Sequence, residues 1–369
     1  MHTPLPPGQY VRIEQLASSP AEALANGIPL VTQPAPTMLR DDEVVVAIRS
    51  ASVGWVDLLM TSGQYQHMPP LPYTPGMEGA GEIVAVGKNV SPARLGERVL
   101  IDGLLVGPRS LGEYQDQGTF ATYVQIPNAA AIPIPGDLSF DEAAALLAAF
   151  ETAWHVVVVR GRLQAGETLL VNGATGATGL AAVQVAKALG ARVIATGRSP
   201  EKLAVVTSLG ADAVIPLGKD ESGALLPFRD AVKAANGGAS VDMVYDGVGG
   251  AVGAESLRCL RFGGRLLVVG WASTPDVAKG HGGRGAPNAN QLPTNLILMK
   301  GLDVLGCPAA IATAMDPTIR PPRLAAVLEW AARGVIRPHV SHVFRLAEVH
   351  EAMSAKWRGD VVGGCVLRV

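Results

Sequence analysis

The hydrophobic and polar positions of the chain follow two patterns, one before about residue 138 and one after it. In the first part, short apolar runs alternate with clusters of proline and glycine such as Pro69–Pro75. The runs within Glu43–Ser52, Gly81–Gly87 and Glu97–Asp102 are typical of strands. Because turn residues separate them, they predict an antiparallel, turn-rich β-domain.

The second pattern begins with Ser139, which has Glu142 three residues later and a run of helix formers beyond it. This is a capping box followed by a helix. Strands at Glu167–Gly173 and Ala191–Gly197 then flank a helix at Gly179–Leu189, and the alternation continues through VDMVYDGVG and GGRLLVVG. Strands that alternate with helices predict a parallel sheet with crossover helices.

The regular alternation lapses in a stretch rich in glycine, proline and asparagine at Ser273–Pro293. A long irregular loop of this kind is a lid, a binding loop or a disordered segment, and the sequence leaves all three open. Helices are predicted after it at Thr294–Lys300 and Leu324–Ala332, and a final strand at Gly364–Val369.

Length and composition narrow the class of protein. The 369 residues exceed one typical hydrophobic core, so two domains are expected. A net charge of −2 makes nucleic acid an unfavourable partner, and the chain has neither a signal-peptide pattern nor an apolar run long enough to span a membrane. We expect a cytoplasmic protein. The three cysteines, Cys259, Cys307 and Cys365, are far apart and are expected to be buried thiols.

The strongest local motif is NGATGATG at Asn172–Gly179, which follows one predicted strand and opens a helix. Glycines let the backbone turn tightly and approach a diphosphate, whose charge is favoured at a helix N-terminus. This context predicts a dinucleotide site, although Ala174 stands where the fingerprint usually has its first glycine. The candidate cofactor residues of the turn are Gly173, Ala174, Gly176, Ala177, Thr178 and Gly179.

The end of the next strand indicates which dinucleotide binds. A site for NAD normally carries an acidic residue there, but this chain has Gly197 followed by Arg198. A guanidinium can bind the additional phosphate of NADP in a bidentate manner, with help from Ser199 and Lys202. The alternative is that Arg198 and Lys202 are ordinary solvated charges. The sequence favours NADPH as the cofactor.

These motifs resemble the zinc-free quinone oxidoreductase branch of the medium-chain dehydrogenase/reductase superfamily. The resemblance extends from about Glu43 to Val369 and includes VDLLMTSGQY, LPYTPGMEGAGEIVAVG, LSFDEAAALLAAFETAWHVV, VDMVYDGVGG and GGRLLVVG. It implies an α/β protein with a doubly wound parallel Rossmann sheet and a GroES-like, β-rich catalytic domain. The implied catalytic domain comprises residues 1–149 and 305–369, and the implied NADPH-binding domain comprises residues 150–304.

The same resemblance implies that no metal takes part. Zinc-containing relatives hold the catalytic metal with a cysteine and a histidine, at places that match Gly54 and Met77 here. Neither residue is a zinc ligand, and no cysteine of a structural zinc lobe occurs between Asp102 and Phe120. Without a Lewis acid, an acceptor already activated by conjugation, such as a quinone or an enone, is expected.

Three residues of the first domain are the catalytic candidates that the resemblance implies: Tyr65, Trp55 and Asp57. Tyr65 matches a tyrosine that donates a hydrogen bond or proton in enoyl-reducing relatives, although it is equally compatible with a packed aromatic residue. Trp55 and Gly54 depart from the residues usual in quinone reductases, which indicates a reshaped acceptor pocket. His67 is a weaker candidate.

The implied cofactor contacts of the second domain lie at strand ends, where an open α/β sheet binds ligands. Leu217 stands where relatives often have a tyrosine, so one contact to the adenosine is expected to be lost. A homodimer through the edge strand near Leu302–Gly306 is also implied. The further candidate cofactor residues are Thr152, Asp246, Gly247, Val248, Gly270, Trp271 and Ala272.

Three functions stay open at this point. The first is an NADPH-dependent quinone reductase. The second is an NADPH-dependent reductase of activated carbon–carbon double bonds in enals, enones, haloacrylates or enoyl thioesters. The third is a non-catalytic protein that binds NADPH for stability and acts structurally or as an RNA-binding scaffold, although the slightly acidic charge balance disfavours RNA.

Overall fold

The computed structural model describes residues 5–65, 67–110, 112–273 and 290–369. Most of the irregular stretch predicted at Ser273–Pro293 lies outside these described residues. The strands are β1 Gly8–Val11, β2 Leu30–Gln33, β3 Glu43–Ser52, β4 Gly79–Val86, β5 Arg98–Ile101, β6 Tyr123–Pro127, β7 Ala131–Pro133, β8 Thr168–Asn172, β9 Arg192–Gly197, β10 Ala213–Pro216, β11 Val241–Asp246, β12 Leu260–Val268, β13 Asp303–Gly306, β14 Val340–Arg345 and β15 Gly364–Arg368.

The α-helices are α1 Pro20–Asn26, α2 Trp55–Met60, α3 Phe140–Ala144, α4 Leu147–Trp154, α5 Ala177–Ala188, α6 Pro200–Ser208, α7 Arg229–Ala235, α8 Gly250–Cys259, α9 Thr294–Lys300, α10 Ala309–Met315, α11 Arg320–Ala332 and α12 Val349–Arg358. No helix within the described part of the chain is long and apolar enough to cross a bilayer.

The first compact unit contains the described residues up to Ala148 and those from Arg337 to Val369. Over the part of it that the structure describes, a seven-stranded sheet has the order β14-β15-β3-β4-β5-β7, with β6 also paired to β3. Every pairing is antiparallel except that of β14 with β15. The sheet and α12 enclose one core, in which Tyr73, Phe120 and Leu58 are fully buried. This confirms the predicted turn-rich β-domain.

The second unit extends from Ala149 to Ile336, apart from the residues outside the described ranges. Its described strands form a six-stranded parallel sheet in the order β10-β9-β8-β11-β12-β13. Counted from β8 this is 3-2-1-4-5-6, the order of a dinucleotide-binding Rossmann sheet. All residues of β8 are buried, as expected for a strand covered by helices on both faces. The predicted fold class is confirmed.

The division of the tail differs from the predicted return to the first domain at residue 305. β13 pairs with β12 from Asp303 to Gly306, and the helices α10 and α11 also cluster with the second unit. A strand of a parallel sheet is normally covered by helices, and the residues after β13 form the helices α10 and α11. The chain returns to the first unit at Arg337.

The long helix predicted after Ser139 is interrupted in the structure. The capping box of Ser139 and Glu142 is present at the start of α3, but α3 ends at Ala144 and α4 begins at Leu147. The Glu78 carboxylate accepts a hydrogen bond from the backbone N–H of Ala148, so a side chain distant in sequence satisfies a group that the broken helix leaves open. Local propensity does not reveal such a partner.

Candidate functional site

The glycine-rich turn after β8 leaves the start of α5 open. Gly173 has φ +69°, and the Gly176 N–H donates to its carbonyl oxygen at 3.0 Å. Gly176 is the N-cap of α5, and no side chain caps the helix. The first N–H groups of this twelve-residue helix are therefore available to a ligand, at the end where the helix dipole favours an anion.

Gly179 is required for packing rather than for direct access. A Cβ atom there would lie 2.4 Å from the Gly173 carbonyl oxygen and 2.9 Å from the Ala174 Cα. At Gly176, by contrast, a Cβ would meet only the Gly173 oxygen at 3.4 Å, an ordinary contact. The protein itself leaves room for a side chain at Gly176, so the bare backbone there suits the close approach of a ligand.

The end of β9 lies beside this turn. The Ala174 N–H donates to the Thr196 carbonyl oxygen at 3.3 Å, and a Cβ on Gly197 would lie 3.4 Å from the Thr175 methyl group. Arg198 follows and is exposed, and none of the described residues forms a hydrogen bond or ion pair with its guanidinium. The structure thus places an unpaired cation next to the glycine-rich turn.

Ser199 is the N-cap of α6, and its hydroxyl accepts a hydrogen bond from the Lys202 N–H at 3.3 Å. The same hydroxyl donates to the Glu201 carboxylate at 2.6 Å. Through this bond Ser199 lowers the pKa of Glu201. A phosphate that accepts from Ser199 must therefore displace Glu201, a competitor that sequence reasoning did not identify.

Asp246 ends β11 and shapes the turn behind it. Its Oδ1 accepts from the N–H groups of Val248 and Gly249, both at 3.1 Å, and from the Asn172 side chain at 3.3 Å. The carboxyl is 1% exposed, and burial raises its pKa despite these hydrogen bonds. Asp246 thus fixes the positions of Val248 and Gly249.

The residues that follow β12 join the same edge of the sheet. The Gly270 N–H donates to the Asp246 carbonyl at 3.3 Å, and the Ala272 N–H donates to the Gly247 carbonyl at 3.3 Å. Trp271, between them, is 37% exposed. The predicted segments after β11 and β12 are therefore adjacent, as strand ends of a parallel sheet should be. Leu217, after β10, donates its N–H to the Gly197 carbonyl at 2.8 Å.

Thr152 lies half-buried on α4, next to a buried ion cluster. The Glu151 carboxylate accepts hydrogen bonds from Arg320 at 2.9 and 3.1 Å and from Arg323 at 2.9 Å. Both Arg320 and Arg323 belong to α11. These bonds tie the helix that carries Thr152 to the outer layer of the second unit.

In the first unit, Gly54 and Met77 are neighbours. A Cβ on Gly54 would lie 3.4 Å from the Met77 methyl carbon and 3.0 Å from the Asp57 Oδ2. Gly54 is the N-cap of α2, and Asp57 accepts from its N–H at 2.8 Å and from the Gly76 N–H at 3.0 Å. Asp57 is 1% exposed, and burial raises its pKa to about 6.

Tyr65 is half-buried at the edge of the first unit's core. Burial raises the pKa of its phenol, while the charge and hydrogen bonding of Arg109 oppose that rise. The His67 ring meets the Tyr65 ring edge-on, with centroids 6.1 Å apart. Burial and the Arg109 charge lower the pKa of His67. Tyr65 is therefore a protonated donor at neutral pH, beside a cation.

Trp55, the third catalytic candidate, begins α2 and stacks on Trp357 of α12. Their ring centroids are 5.6 Å apart and their planes differ by 10°. An aromatic pair in this arrangement restrains the side chain of Trp55. The structure thus brings Trp55 and Asp57 together on one short helix.

Comparisons with known proteins agree with this architecture. The family described as "Alcohol dehydrogenase GroES-like domain" matches residues 40–136, and the one described as "Zinc-binding dehydrogenase" matches residues 177–333. The chain is 34% identical over 337 residues to the mouse "Quinone oxidoreductase-like protein 2". The matched region covers 90% of this chain and 87% of the relative. The chain belongs to the quinone oxidoreductase branch of the medium-chain dehydrogenase/reductase superfamily.

Two solved structures of similar proteins support the assignment of this oxidoreductase. A probable oxidoreductase from Mycobacterium abscessus is 29% identical, with a TM-score of 0.77 and 99% of both chains covered. The quinone oxidoreductase from Thermus thermophilus, studied also in complex with NADPH, is 26% identical, with a TM-score of 0.71. The match covers 98% of this chain and 100% of that one.

This member of the quinone oxidoreductase branch has no zinc ligand at the two adjacent positions Gly54 and Met77. Among residues 5–65, 67–110, 112–273 and 290–369, no group of three histidine, cysteine, aspartate or glutamate side chains is placed to hold a metal ion. All three cysteines are buried, as predicted.

Several residues of the candidate site were missed by sequence reasoning. Arg109 and Trp357 reach Tyr65 and Trp55 from distant parts of the chain, and no local pattern links them. Glu201 could have been found, because SPEK places a carboxylate two residues after the N-cap serine.

Proposed function

We propose that this protein transfers a hydride from NADPH to a conjugated carbonyl acceptor, a quinone or an enone. The observation that carries the proposal is the unpaired Arg198 at the end of β9, beside the uncapped start of α5. An acidic residue at that strand end would repel the additional phosphate of NADPH, whereas a guanidinium binds it. The Thermus thermophilus relative, which was studied with NADPH, supports the same choice.

The residues present fit a dinucleotide. The N–H groups at the start of α5 suit the diphosphate, Arg198 and Lys202 suit the adenosine phosphate, and the turn that Asp246 holds lies on the same strand edge. Bound NADPH would supply two electrons and a hydrogen nucleus as hydride.

The acceptor side of the reaction falls to the first unit. When an enone takes the hydride on its β-carbon, the pair of the carbon–carbon double bond forms the enolate double bond and the carbonyl π pair moves to the oxygen. A proton from solvent on the α-carbon then gives the saturated ketone. A quinone becomes a hydroquinone by the same gain of one hydride and one proton. The Tyr65 hydroxyl, a donor at neutral pH, would stabilise the developing negative charge on that oxygen.

Steady-state oxidation of NADPH with a quinone and with a small enone, each with product identification, tests this proposal. Tyr65→Phe removes the donor and is expected to lower kcat at least tenfold, while the dissociation constant of NADPH stays unchanged. Tyr10→Phe, a change of another partly buried tyrosine of the same unit, is the control. Tight NADPH binding without turnover across a broad acceptor panel would favour the non-catalytic scaffold instead.

We also propose that the protein forms a homodimer through β13. Among the described strands, β13 pairs with β12 only, so one edge carries unpaired backbone groups. Exposed apolar side chains lie near it in the sequence: Val304 is 38%, Leu298 79% and Met299 74% exposed. Light scattering should give twice the chain mass for the wild type, and a monomer from Val304→Lys; a monomeric wild type would reject the proposal.

A further inference from the structure

Arg109 is a half-buried cation of the first unit. It lies in the turn from Gly107 to Ser110, which the Ser110 N–H closes by donating to the Gly107 carbonyl at 2.9 Å. Its Nε atom is buried and has no hydrogen-bond partner, and no ion pair joins its guanidinium to any acid in the described ranges. A partly buried guanidinium without an opposite charge is unfavourable unless a ligand supplies that charge.

The Asp57 carboxyl, whose raised pKa the charge of Arg109 opposes, already has backbone partners. Its two oxygens accept the N–H groups of Gly54 and Gly76, and the charges of Arg109 and Lys356 both lower its pKa against the effect of burial. The charges of two cations therefore act on one acid, each of whose oxygens already accepts a backbone N–H. Within the described residues Asp57 forms no ion pair with Arg109.

Two neutral side chains complete the surroundings of Arg109. Arg109 lies close enough to Tyr65 to lower the pKa of its phenol through charge and hydrogen bonding, and His67, whose charged form Arg109 disfavours, lies edge-on to Tyr65. Neither supplies negative charge at neutral pH. Tyr65 is also the proposed donor to the acceptor's carbonyl oxygen, so a group bound by Arg109 would belong to the acceptor.

We propose that Arg109, together with Tyr65 and His67, forms a carboxylate subsite, and that the acceptor is a conjugated ketone bearing a carboxylate near its carbonyl group. A guanidinium binds a carboxylate through a planar pair of hydrogen bonds, a geometry that a neutral ester cannot match. The proposal rests on the proposed function, because it takes the hydride acceptor to be the molecule bound beside Tyr65. Arg109 takes no part in electron transfer and determines which acceptor binds.

Two acceptors that differ only in charge test the subsite: 4-oxopent-2-enoate and its methyl ester. Arg109→Met should lower kcat/KM with the acid about a hundredfold, the size of one charge-assisted contact, and with the ester at most about threefold. Arg109→Lys, which retains the charge, should recover part of the activity with the acid. Arg49→Met, at an exposed arginine of the same unit paired with Glu82, should change neither. Equal losses with acid and ester in Arg109→Met would overturn the proposal.

A binding measurement separates this proposal from the proposed function. Calorimetric titration with 4-oxopentanoate, which has no double bond to reduce, should show binding to the wild type, and its methyl ester should bind at least tenfold more weakly. If no acceptor is turned over yet 4-oxopentanoate binds in preference to its ester, the subsite stands and the hydride transfer fails. If acceptors are reduced without regard to charge and acid and ester bind equally, the subsite is refuted and the hydride transfer stands.

Discussion

Gly176 and Gly179 lie in the same turn, three residues apart, and a methyl group should affect them in opposite ways. At Gly179 the new Cβ would lie 2.4 Å from the Gly173 carbonyl oxygen and 2.9 Å from the Ala174 Cα, both backbone atoms. Overpacking of this kind costs about 1–3 kcal/mol, whereas the gain in helix propensity from glycine to alanine is at most about 1 kcal/mol. We therefore expect Gly179→Ala to destabilise the protein.

At Gly176 the backbone has φ −77°, which alanine adopts readily, and the new Cβ would meet its nearest neighbouring atom at 3.4 Å. The loss of glycine at an N-cap costs under about 1 kcal/mol. The methyl group would, however, occupy the space through which a diphosphate approaches the start of α5. Gly176→Ala should therefore keep its stability and lose at least tenfold in NADPH affinity.

Two measurements on each variant separate these effects. Thermal unfolding of the apo protein should show a midpoint lowered by roughly 3 °C for a loss of about 2 kcal/mol in Gly179→Ala, and almost no change in Gly176→Ala. Fluorescence titration should show weakened NADPH binding in both. Unchanged NADPH affinity in a stable Gly176→Ala would refute the assignment of this turn to the diphosphate.

Two further outcomes are expected from buried charges. Glu151→Gln should lower the free energy of unfolding, measured by equilibrium denaturation, by about 3–5 kcal/mol, because Arg320 and Arg323 lose the carboxylate they share. The control is Glu329→Gln, which should change that free energy very little because the pair of Glu329 with Arg333 is exposed. Burial raises the Asp57 pKa from 3.8 to about 6, so the folded protein binds the additional proton and this group's contribution to stability declines as pH rises from about 4 to about 6. In Asp57→Asn, the denaturation midpoint measured between about pH 4 and pH 6 should no longer show that decline. If the midpoints of the wild type and the variant change with pH in the same way, Asp57 is not the cause of the decline.

Those parts of the fold that depend on local pattern were predictable from sequence. β3 matches its predicted bounds, and β8, β9 and α5 differ from theirs by a residue or two, because an apolar strand, a glycine-rich turn and a helix follow one another without conflict. The capping box at Ser139 was also predictable, since both partners lie within one helical turn. The interruption after α3 was not, because its partner Glu78 is 70 residues away in the sequence.

The candidate site divides in the same way. Its cofactor half consists of strand ends, whose proximity follows from the parallel order of the sheet. Its acceptor half depends on tertiary contacts, such as Arg109 with Tyr65 and Trp357 with Trp55, between segments that share no pattern. The family resemblance identified Tyr65 and Trp55 as candidates, but no sequence pattern predicted that Arg109 lies beside the Tyr65 phenol.

The most direct test of the account is a binding titration of the purified wild type and Arg198→Ala with NADPH and with NADH. We predict that the wild type binds NADPH about ten to a hundred times more tightly than NADH, because the guanidinium pairs with the additional phosphate. Arg198→Ala should lose most of that difference and leave NADH affinity nearly unchanged. Equal affinities of the wild type for the two dinucleotides, or no binding of either, would contradict the account.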